Sequence, residues 1–291
     1  MSQQHPVVVV TGSSGAGTTY VKHVFEGIFA REAINPVIIE GDSFHRYDRA
    51  AMKEEVAHQL ELGNNHFSHF GPDANEFSRL ADLFKHYGQT GGGQKRLYLH
   101  SDEEAVPYEG LYPGQFTPWE DIEKGTDLLF YEGLHGMVRG EHYDVAKHVD
   151  LSVGVTPTVA LEWIQKIYRD NKERAYPADV IVDTILTRMP DYVKHISAQF
   201  DLTDINIQRV PTVDHANPFK VRPVPTADES IVIIGFRNPC QLGVDFDHLM
   251  TMLHDSFMSS PTSIVVPGGK FSMACDILLT PIIQNMIANR G

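Results

Sequence analysis

Nine residues near the start of the sequence have the glycine spacing of a phosphate-binding loop. They read GSSGAGTTY and follow the apolar run PVVVVT. Glycines leave backbone amides free to bind phosphate oxygens, and a helix beginning after the loop aims its positive end at the same point. We predict a nucleotide-binding loop; the alternative is a glycine-rich turn that only joins a strand to a helix. The residues are Gly12, Ser13, Ser14, Gly15, Ala16, Gly17, Thr18, Thr19 and Tyr20.

This loop lacks the lysine that its motif normally carries after the last glycine. In the full motif, the lysine neutralises the β- and γ-phosphates and the next hydroxyl residue binds magnesium. Here Thr18 stands at the lysine position and Thr19 at the hydroxyl position. Thr19 is therefore a predicted magnesium ligand, and the missing positive charge must come from elsewhere in the chain.

Acidic residues end two predicted strands. The segment IIEGD supplies Glu40 and Asp42, and LLFYEG supplies Glu132. Open α/β sheets bind ligands at the carboxyl ends of their parallel strands, and a phosphate-loop enzyme needs an acid there beside magnesium. We expect these carboxylates to face the nucleotide; for each, an ordinary strand-end residue is the alternative.

Segment 162–174, EWIQKIYRDNKER, is predicted to be a helix with one cationic face. At about 100° per residue, Lys166, Arg169, Asp170 and Arg174 gather on that face. Three cations on one arc of an acidic protein can replace the missing loop lysine. The alternative is an exposed salt bridge between Lys166 and Asp170, which are four residues apart.

Segment 41–49, GDSFHRYDR, places an acid, a histidine and two arginines directly after a predicted strand. A phosphorylated acceptor needs cations for its phosphate and a carboxylate to accept the proton of its hydroxyl. The segment offers both. For His45, and also for His100 and His135, a structural hydrogen-bonding role is the alternative.

Hydrophobic patterns predict the elements that position these residues. A buried strand at 6–11, a helix at 18–32 and a strand at 36–42 form one βαβ unit, which implies a parallel sheet. No segment has the composition of a linker, so we expect one domain over 1–291. Further strands are predicted at 95–100, 127–133, 149–155, 205–213, 230–236 and 263–268, and further helices at about 49–62, 74–87, 159–174, 178–200, 245–258 and 271–289.

Composition excludes several classes of protein. A formal net charge of −14 argues against nucleic acid or an anionic membrane as the main partner, because both bind basic surfaces. Two cysteines cannot form a disulfide framework. No stretch approaches the roughly 20 apolar residues of a membrane span, and MSQQHP lacks signal-peptide features. We therefore expect a cytoplasmic protein.

Five segments together resemble the bacterial branch of the phosphoribulokinase family. They are GSSGAGTT, EGDSFHRYDR, FYEGLHG, LEWIQKIYRD and INIQRVPTVD, in that order along the chain. The resemblance covers nearly the whole sequence. It implies the α/β fold of a P-loop kinase, with a mostly parallel (mixed) central sheet flanked by helices. Members of this branch also lack the loop lysine, so Thr18 is expected to be a feature of the branch.

The resemblance implies phosphoryl transfer from MgATP to the 1-hydroxyl of ribulose 5-phosphate, giving ribulose 1,5-bisphosphate. ATP and Mg²⁺ are then the expected cofactors. By resemblance, Asp42 is the general base, Glu132 and Asp170 lie on the metal side, and Lys166 and Arg169 serve the transferring phosphoryl group. The expected assembly is a homo-oligomer, commonly an octamer in this branch.

Four residues match family positions that bind the sugar phosphate: His45, Arg49, His100 and Arg174. Two other functions stay open. One is the same chemistry on another small acceptor, such as a different pentose phosphate or a nucleoside; Arg49 and Arg174 disfavour a nucleoside, which has no phosphate for them. The other is an ATP-binding protein without catalysis, which would have no need of Asp42.

The sequence departs from the family pattern in three ways. Tyr20 follows Thr19 where a smaller hydroxyl residue is expected. Ala16 stands where the chloroplast branch has a regulatory cysteine, which excludes a thiol switch by that route. Gly235 and Ser260 stand where the bacterial branch has basic residues associated with activation by NADH, so we do not expect that response.

Overall fold

A computed structural model describes residues 4–290 of the chain. Its centre is an eight-stranded sheet, and a separate two-stranded sheet pairs Gln94–Lys95 with Glu120–Asp121. The strands are β1 (Val7–Thr11), β2 (Pro36–Glu40), β3 (Gln94–Lys95), β4 (Glu120–Asp121), β5 (Leu128–Gly133), β6 (Leu151–Val155), β7 (Ile205–Pro211), β8 (Ser230–Phe236), β9 (Phe257–Ser260) and β10 (Ser263–Pro267). The helices are α1 (Thr18–Arg31), α2 (Arg49–Glu61), α3 (Phe77–Thr90), α4 (Asp102–Ala105), α5 (Val159–Lys172), α6 (Ala178–Asp191), α7 (Phe246–Met252) and α8 (Phe271–Ala288).

The central sheet is mixed. Its strand order is β2-β5-β1-β6-β7-β8-β10-β9. The first five strands in this order pair in parallel, whereas β8, β10 and β9 pair antiparallel. The predicted α/β fold with a mostly parallel sheet flanked by helices is therefore confirmed.

The continuous apolar run of β1 reflects its position at the centre of the parallel strands. Successive strand side chains point to opposite faces of a sheet, so a strand covered on both sides is apolar throughout. Val8 and Val10 belong to a core shared with α1, α7 and α8. Val7 and Val9 belong to a second core, shared with α3.

The parallel arrangement brings the functional segments to one edge of the sheet. Strands β1, β2 and β5 run in the same direction, and Glu132 pairs in register with both Val10 and Glu40. The glycine loop after β1, the turn Gly41–Phe44 after β2 and the end of β5 therefore lie side by side. This edge is the one at which open α/β sheets bind ligands.

The predicted helix over 178–200 is shorter than expected. Helix α6 ends at Asp191, and the chain continues through a π-helical turn at Tyr192–Ile196. Pro190 lies in the last turn of α6, where it provides no amide for the helical ladder and crowds the carbonyl one turn earlier.

Two other predicted elements also differ from the structure. The helix predicted over 245–258 ends at Met252, and Phe257–Ser260 is instead the edge strand β9. Asp255 has a φ of 66° between them, which breaks the helical path. The strand predicted at 95–100 is reduced to the end of β3 and a single bridge between Tyr98 and Phe116.

One helical segment, Gly268–Ala288, is long and apolar enough to cross a membrane by length and composition alone. The expectation that no stretch approaches this limit is wrong for this segment. Helix α8 places Cys275, Leu279 and Ile283 in the core that it shares with the sheet.

Candidate functional site

The glycine loop joins β1 to α1 and leaves the start of α1 open. Gly15 and Gly17 have φ values of 102° and 96°, which glycine adopts without strain. Gly17 is the N-cap of α1, and no side chain of the described residues caps it by a hydrogen bond. The first amides of α1 are therefore directed at the loop with the positive end of the helix dipole, as anion binding requires.

Two cavities meet at this edge of the sheet. The first, here called the loop cavity, has a volume of about 560 Å³ and is lined by the glycine loop, Lys22, Glu132 and Arg169. The second, here called the histidine cavity, has a volume of about 780 Å³ and is lined by three histidines and several arginines. Asp42 lines both cavities.

Thr18, Thr19 and Glu132 line the loop cavity. Burial raises the pKa of Glu132, and the Thr18 hydroxyl and the Lys22 ammonium partly offset this. No group of three or more His, Cys, Asp or Glu side chains among residues 4–290 forms a ready-made metal site. Any cation at this point would therefore rely on few protein ligands.

Lys22 is a cation of the loop cavity that the sequence analysis did not identify. Its Nζ lies 2.7 Å from Glu40 Oε1. Burial disfavours the charged form, but the hydrogen bond to Glu40 raises the pKa of Lys22 overall. The sequence did contain a signal for Lys22, because it lies one turn after Thr18 on the same face of α1.

Asp42 lies in the turn after β2 and contacts two histidines. Its Oδ1 is 3.2 Å from His45 Nε2, and its Oδ2 is 3.8 Å from His100 Nε2. Burial opposes ionisation, but the hydrogen bond from His45 and the charge of both rings hold the pKa of Asp42 well below its usual range. The carboxylate is thus ionised and can accept a proton.

Asp170 is the centre of a three-cation cluster on α5 and the residues after it. Its Oδ2 is 2.8 Å from Lys166 Nζ, and its Oδ1 is 2.9 Å from Arg169 Nη2 and 3.2 Å from Arg174 Nη1. Only 7% of the Asp170 side chain is exposed, so the alternative of an exposed surface salt bridge is wrong. Arg169 Nη2 also donates to the Ser14 hydroxyl at 3.0 Å, which ties the cluster to the glycine loop.

Replacing Asp170 with asparagine should destabilise the protein in a pH-dependent way. Burial raises the pKa of Asp170, but Lys166 and Arg169 outweigh it and lower the value overall. A lowered folded-state pKa contributes stability above the unfolded value, near pH 4, and loses it as pH falls further. We expect the variant to lose about 3 kcal/mol at pH 7, as for a broken buried ion pair.

The measurement is urea unfolding of both proteins between pH 3 and 7. The stability difference should be constant above about pH 5 and shrink below about pH 4. A difference that stays constant down to pH 3 would contradict the assignment of these ion pairs.

Glu162 connects the glycine loop to the π-helical turn after α6. It is buried, accepts a hydrogen bond from the Ser13 hydroxyl and accepts another from the Tyr192 hydroxyl at 3.0 Å. Burial raises the pKa of Glu162, and both hydrogen bonds oppose this. Sequence reasoning missed this contact because Glu162 reads as an ordinary first-turn acid of α5.

The four predicted sugar-phosphate residues, His45, Arg49, His100 and Arg174, all line the histidine cavity. His135 does not; it is buried against Phe77, in agreement with a structural role. The sequence analysis missed other polar side chains of this cavity. They include His69, Arg188 and Tyr192.

Two residues of the glycine motif do not reach the loop cavity. The Tyr20 ring is half exposed and stacks on Phe271 of α8, with 5.4 Å between ring centroids. Ala16 is buried in the core that contains α1. The larger residue at position 20 is therefore accommodated by α8 and not behind the loop.

Gly235 and Ser260 lie close together at the antiparallel end of the sheet. Gly235 pairs with Ser263, and Ser263 pairs with Ser260 on the next strand. The two positions thus form one small neutral patch, in which the Ser260 and Ser263 hydroxyls are 3.0 Å apart. The absence of a response to NADH stays a prediction.

The chain is similar to known proteins over most of its length. A sequence model of the phosphoribulokinase / uridine kinase family matches residues 7–216. A chromosomal phosphoribulokinase of Cupriavidus necator is 53% identical over 290 residues, which cover 100% of this chain and 98% of the relative. A phosphoribulokinase of Xanthobacter flavus is 55% identical over 287 residues, which cover 99% of this chain and 98% of the relative.

A solved structure is similar to the whole fold. The phosphoribulokinase from Rhodobacter spheroides superposes with a TM-score of 0.89 at 47% identity, and the match covers 99% of each chain. The family match and these full-length similarities agree with the P-loop, the strand-end acids and the cationic helix described above. The chain therefore belongs to the phosphoribulokinase / uridine kinase family.

Proposed function

We propose that this protein transfers the γ-phosphoryl group of ATP to the 1-hydroxyl of D-ribulose 5-phosphate. The observation that carries the proposal is the position of Asp42, an ionised carboxylate where the loop cavity meets the histidine cavity. One cavity has the features of a phosphate-donor site and the other has cations for a phosphorylated acceptor. Relatives of at least half identity over the full length are phosphoribulokinases, which supports ribulose 5-phosphate as that acceptor.

The loop cavity is the proposed ATP site. The loop amides and the start of α1 bind the phosphates, and Thr19 and Glu132 are the proposed protein ligands of Mg²⁺. Mg²⁺ commonly uses one or two carboxylates together with substrate phosphates, so two protein ligands fit this ion. Glu40 and Asp42 repel the charge of Glu132, and a cation would relieve that repulsion. When bound, the ion neutralises phosphate charge.

The cations of α5 are proposed to take the place of the missing loop lysine. Arg169 already reaches the loop through Ser14, and Lys166 lies beside it on the histidine cavity. Both are held by Asp170, so they are positioned before substrates bind. Phosphoryl transfer depends mainly on such positioning and charge neutralisation. Asp170 has both oxygens in ion pairs, and a direct metal contact for it stays a prediction.

The histidine cavity is the proposed acceptor site. Arg49, His100 and Arg174 are proposed to provide donors for the sugar and its 5-phosphate, and His45 lines the same site with its ring nitrogens facing Asn75 and Asp42. Asp42 accepts the proton of the attacking hydroxyl.

We also propose that residues 1–291 act as one domain, because strands from both ends of the chain share the central sheet. Assembly into a homo-oligomer is a separate prediction, which light scattering can test.

A coupled ADP-release assay tests the proposed function. With MgATP, ribulose 5-phosphate should give much faster turnover than ribose 5-phosphate, xylulose 5-phosphate or uridine. Preference for another of these acceptors would favour the alternative kinase. Turnover with none of them, together with measurable ATP binding, would favour a binding protein.

Replacing Arg49 with glutamine should weaken binding of the acceptor. A hydrogen bond to a charged group contributes about 1.5–3 kcal/mol, which corresponds to a rise of about 10- to 100-fold in the KM for ribulose 5-phosphate. The KM for ATP should change little, because Arg49 lines only the histidine cavity of the two. Steady-state kinetics with each substrate varied in turn provides the measurement.

The matched control is Arg139→Gln, which removes an exposed arginine that pairs with Asp144 away from both cavities. Its kinetics should equal those of the wild type. An Arg49→Gln variant with an unchanged KM for ribulose 5-phosphate would remove Arg49 from the acceptor site.

A further inference from the structure

Asn75 is a buried polar residue behind the proposed catalytic base. Its backbone forms a bridge with that of His45, and its side chain makes three hydrogen bonds. Asn75 Nδ2 donates to the His69 carbonyl oxygen at 2.9 Å and to the Gly71 carbonyl oxygen at 2.6 Å. On the other side, Asn75 Oδ1 lies 2.7 Å from His45 Nδ1.

These contacts determine where the hydrogen of the His45 ring lies. Carbonyl oxygens only accept hydrogen bonds, so the side of Asn75 that faces His69 and Gly71 must be its NH₂ group. The opposite side is then the oxygen, which also only accepts. His45 Nδ1 must therefore carry a hydrogen and donate it to Asn75.

With Nδ1 protonated, the other ring nitrogen determines how Asp42 is held. His45 Nε2 is 3.2 Å from Asp42 Oδ1. Because an ionised Asp42 has no hydrogen to donate, this bond requires a hydrogen on Nε2 as well, so the His45 ring carries a hydrogen on both nitrogens. That bond occupies Oδ1. Asp42 Oδ2, which is 3.8 Å from His100 Nε2, is left as the oxygen open to an acceptor hydroxyl.

The third histidine of this cluster does not compete for the proton. The His69 ring stacks against that of His45, with 4.3 Å between centroids. Burial, together with the charge of His45 and Arg188, lowers the pKa of His69 to about 3. His69 is therefore neutral and adds no second charge next to Asp42.

We propose that Asn75 is a positioning residue of the kinase: it holds His45 with Nδ1 protonated, so that His45 Nε2 anchors Asp42 Oδ1 and Asp42 Oδ2 accepts the substrate proton. The proposal rests on the proposed function. In the step, the acceptor hydroxyl oxygen forms a bond to the γ-phosphorus and its proton moves to Oδ2. The bond from the γ-phosphorus to the β,γ-bridging oxygen breaks, and its electron pair leaves with ADP.

Two substitutions at position 75 separate positioning from simple packing. Asn75→Leu is similar in size but removes the oxygen that faces His45. Asn75→Asp keeps an oxygen there. We expect Asn75→Leu to lower kcat by about 10- to 100-fold, the loss typical when a residue that orients a metal-binding histidine is removed, with the KM for ATP unchanged. Asn75→Asp loses the NH₂ group that bonds the His69 and Gly71 carbonyl oxygens, so it should retain more of kcat than Asn75→Leu without reaching the wild-type value. Asn64→Leu is the control, since the Asn64 side chain bonds Gln59 of α2 and the His66 amide and lines neither cavity.

Long-range ¹H–¹⁵N spectra of the histidine rings provide a readout that does not depend on activity. With the His45 signals assigned from His45→Gln, Nδ1 of the wild type should be protonated. A ring with Nδ1 unprotonated would overturn the proposal, as would wild-type kcat in a folded Asn75→Leu variant. Equal losses of kcat in folded Asn75→Leu and Asn75→Asp would also overturn it. If Asn75→Leu does not fold by circular dichroism, Asn75→Asp and the wild-type spectrum decide.

The failure of the proposed function has a different signature. In that case the wild type would show no turnover of ribulose 5-phosphate, and the proposed role of Asn75 in phosphoryl transfer would be wrong as well. The spectrum would still report whether Asn75 holds the Nδ1 hydrogen of His45.

Discussion

Replacing Asp42 with asparagine is expected to lower kcat for ribulose 5-phosphate by about 10²- to 10⁴-fold, the usual contribution of a general base. The amide keeps the shape of the side chain but cannot accept the hydroxyl proton. Asp42 borders the loop cavity without belonging to the glycine loop, so the dissociation constant for MgATP should change by less than about threefold, below the tenfold that 1.4 kcal/mol produces. Steady-state turnover and equilibrium nucleotide binding test both parts.

The control for this substitution is Asp247→Asn. Asp247 is exposed in the first turn of α7 and lines neither cavity. It should leave both kcat and nucleotide affinity unchanged. If Asp42→Asn keeps wild-type kcat, Asp42 is not the base; if it loses nucleotide binding together with turnover, its role is in holding the nucleotide.

Replacing Lys166 with glutamine is expected to lower kcat by about 10²- to 10³-fold, as when one preorganised donor to a transition-state charge is removed. Burial lowers the pKa of Lys166, and Asp170 opposes this through its charge and hydrogen bond. Asp170 therefore holds the Lys166 ammonium in position at the histidine cavity. Because the chain has Thr18 in place of the loop lysine, the loss of Lys166 removes one of a small set of cations at the site, which includes Arg169 and Lys22.

The matched control lies on the same helix. Lys172→Gln removes an exposed lysine from the end of α5 and should leave kcat unchanged. Single-turnover kinetics should show that Lys166→Gln slows the phosphoryl transfer itself. A variant that binds ATP more weakly but turns over normally at saturation would assign Lys166 to ground-state binding instead.

The arrangement also explains why the unusual loop is compatible with activity. In the usual motif, a lysine of the loop itself neutralises the phosphates. Here Arg169 approaches from α5 and contacts the Ser14 hydroxyl, while Lys22 approaches from α1 and pairs with Glu40. Positive charge is thus provided around the loop by neighbouring helices.

Local patterns in the sequence predicted most of the helices and strands. The continuous valines of β1 predicted a strand buried on both faces, and the glycine loop with the following amphipathic segment predicted the first βαβ unit. These features depend on residues within one or two turns of each other. Where one local residue interrupted a regular pattern, as Pro190 and Asp255 do, the predicted helix ran too far.

The sequence also identified much of the site. Parallel strands run in one direction, so Asp42 and Glu132 were expected at the same edge as the loop, and the structure places them there. The cationic face of α5 followed from helical periodicity alone. That Asp170 is buried and bound by three cations did not follow, because periodicity gives the face of a helix but not what covers it.

Contacts between distant residues were decided only by the tertiary structure. Ser13 and Glu162 are 149 positions apart, and His45 and Asn75 are 30 positions apart. Each member of such a pair looks ordinary in its own segment, since a serine of a loop or an asparagine before a helix has many uses. Only the tertiary structure, which brings α5 beside the glycine loop and Asn75 beside His45, makes these side chains partners. The sequence by itself thus determined the elements and the kind of chemistry, and the fold determined which atoms hold the catalytic groups in place.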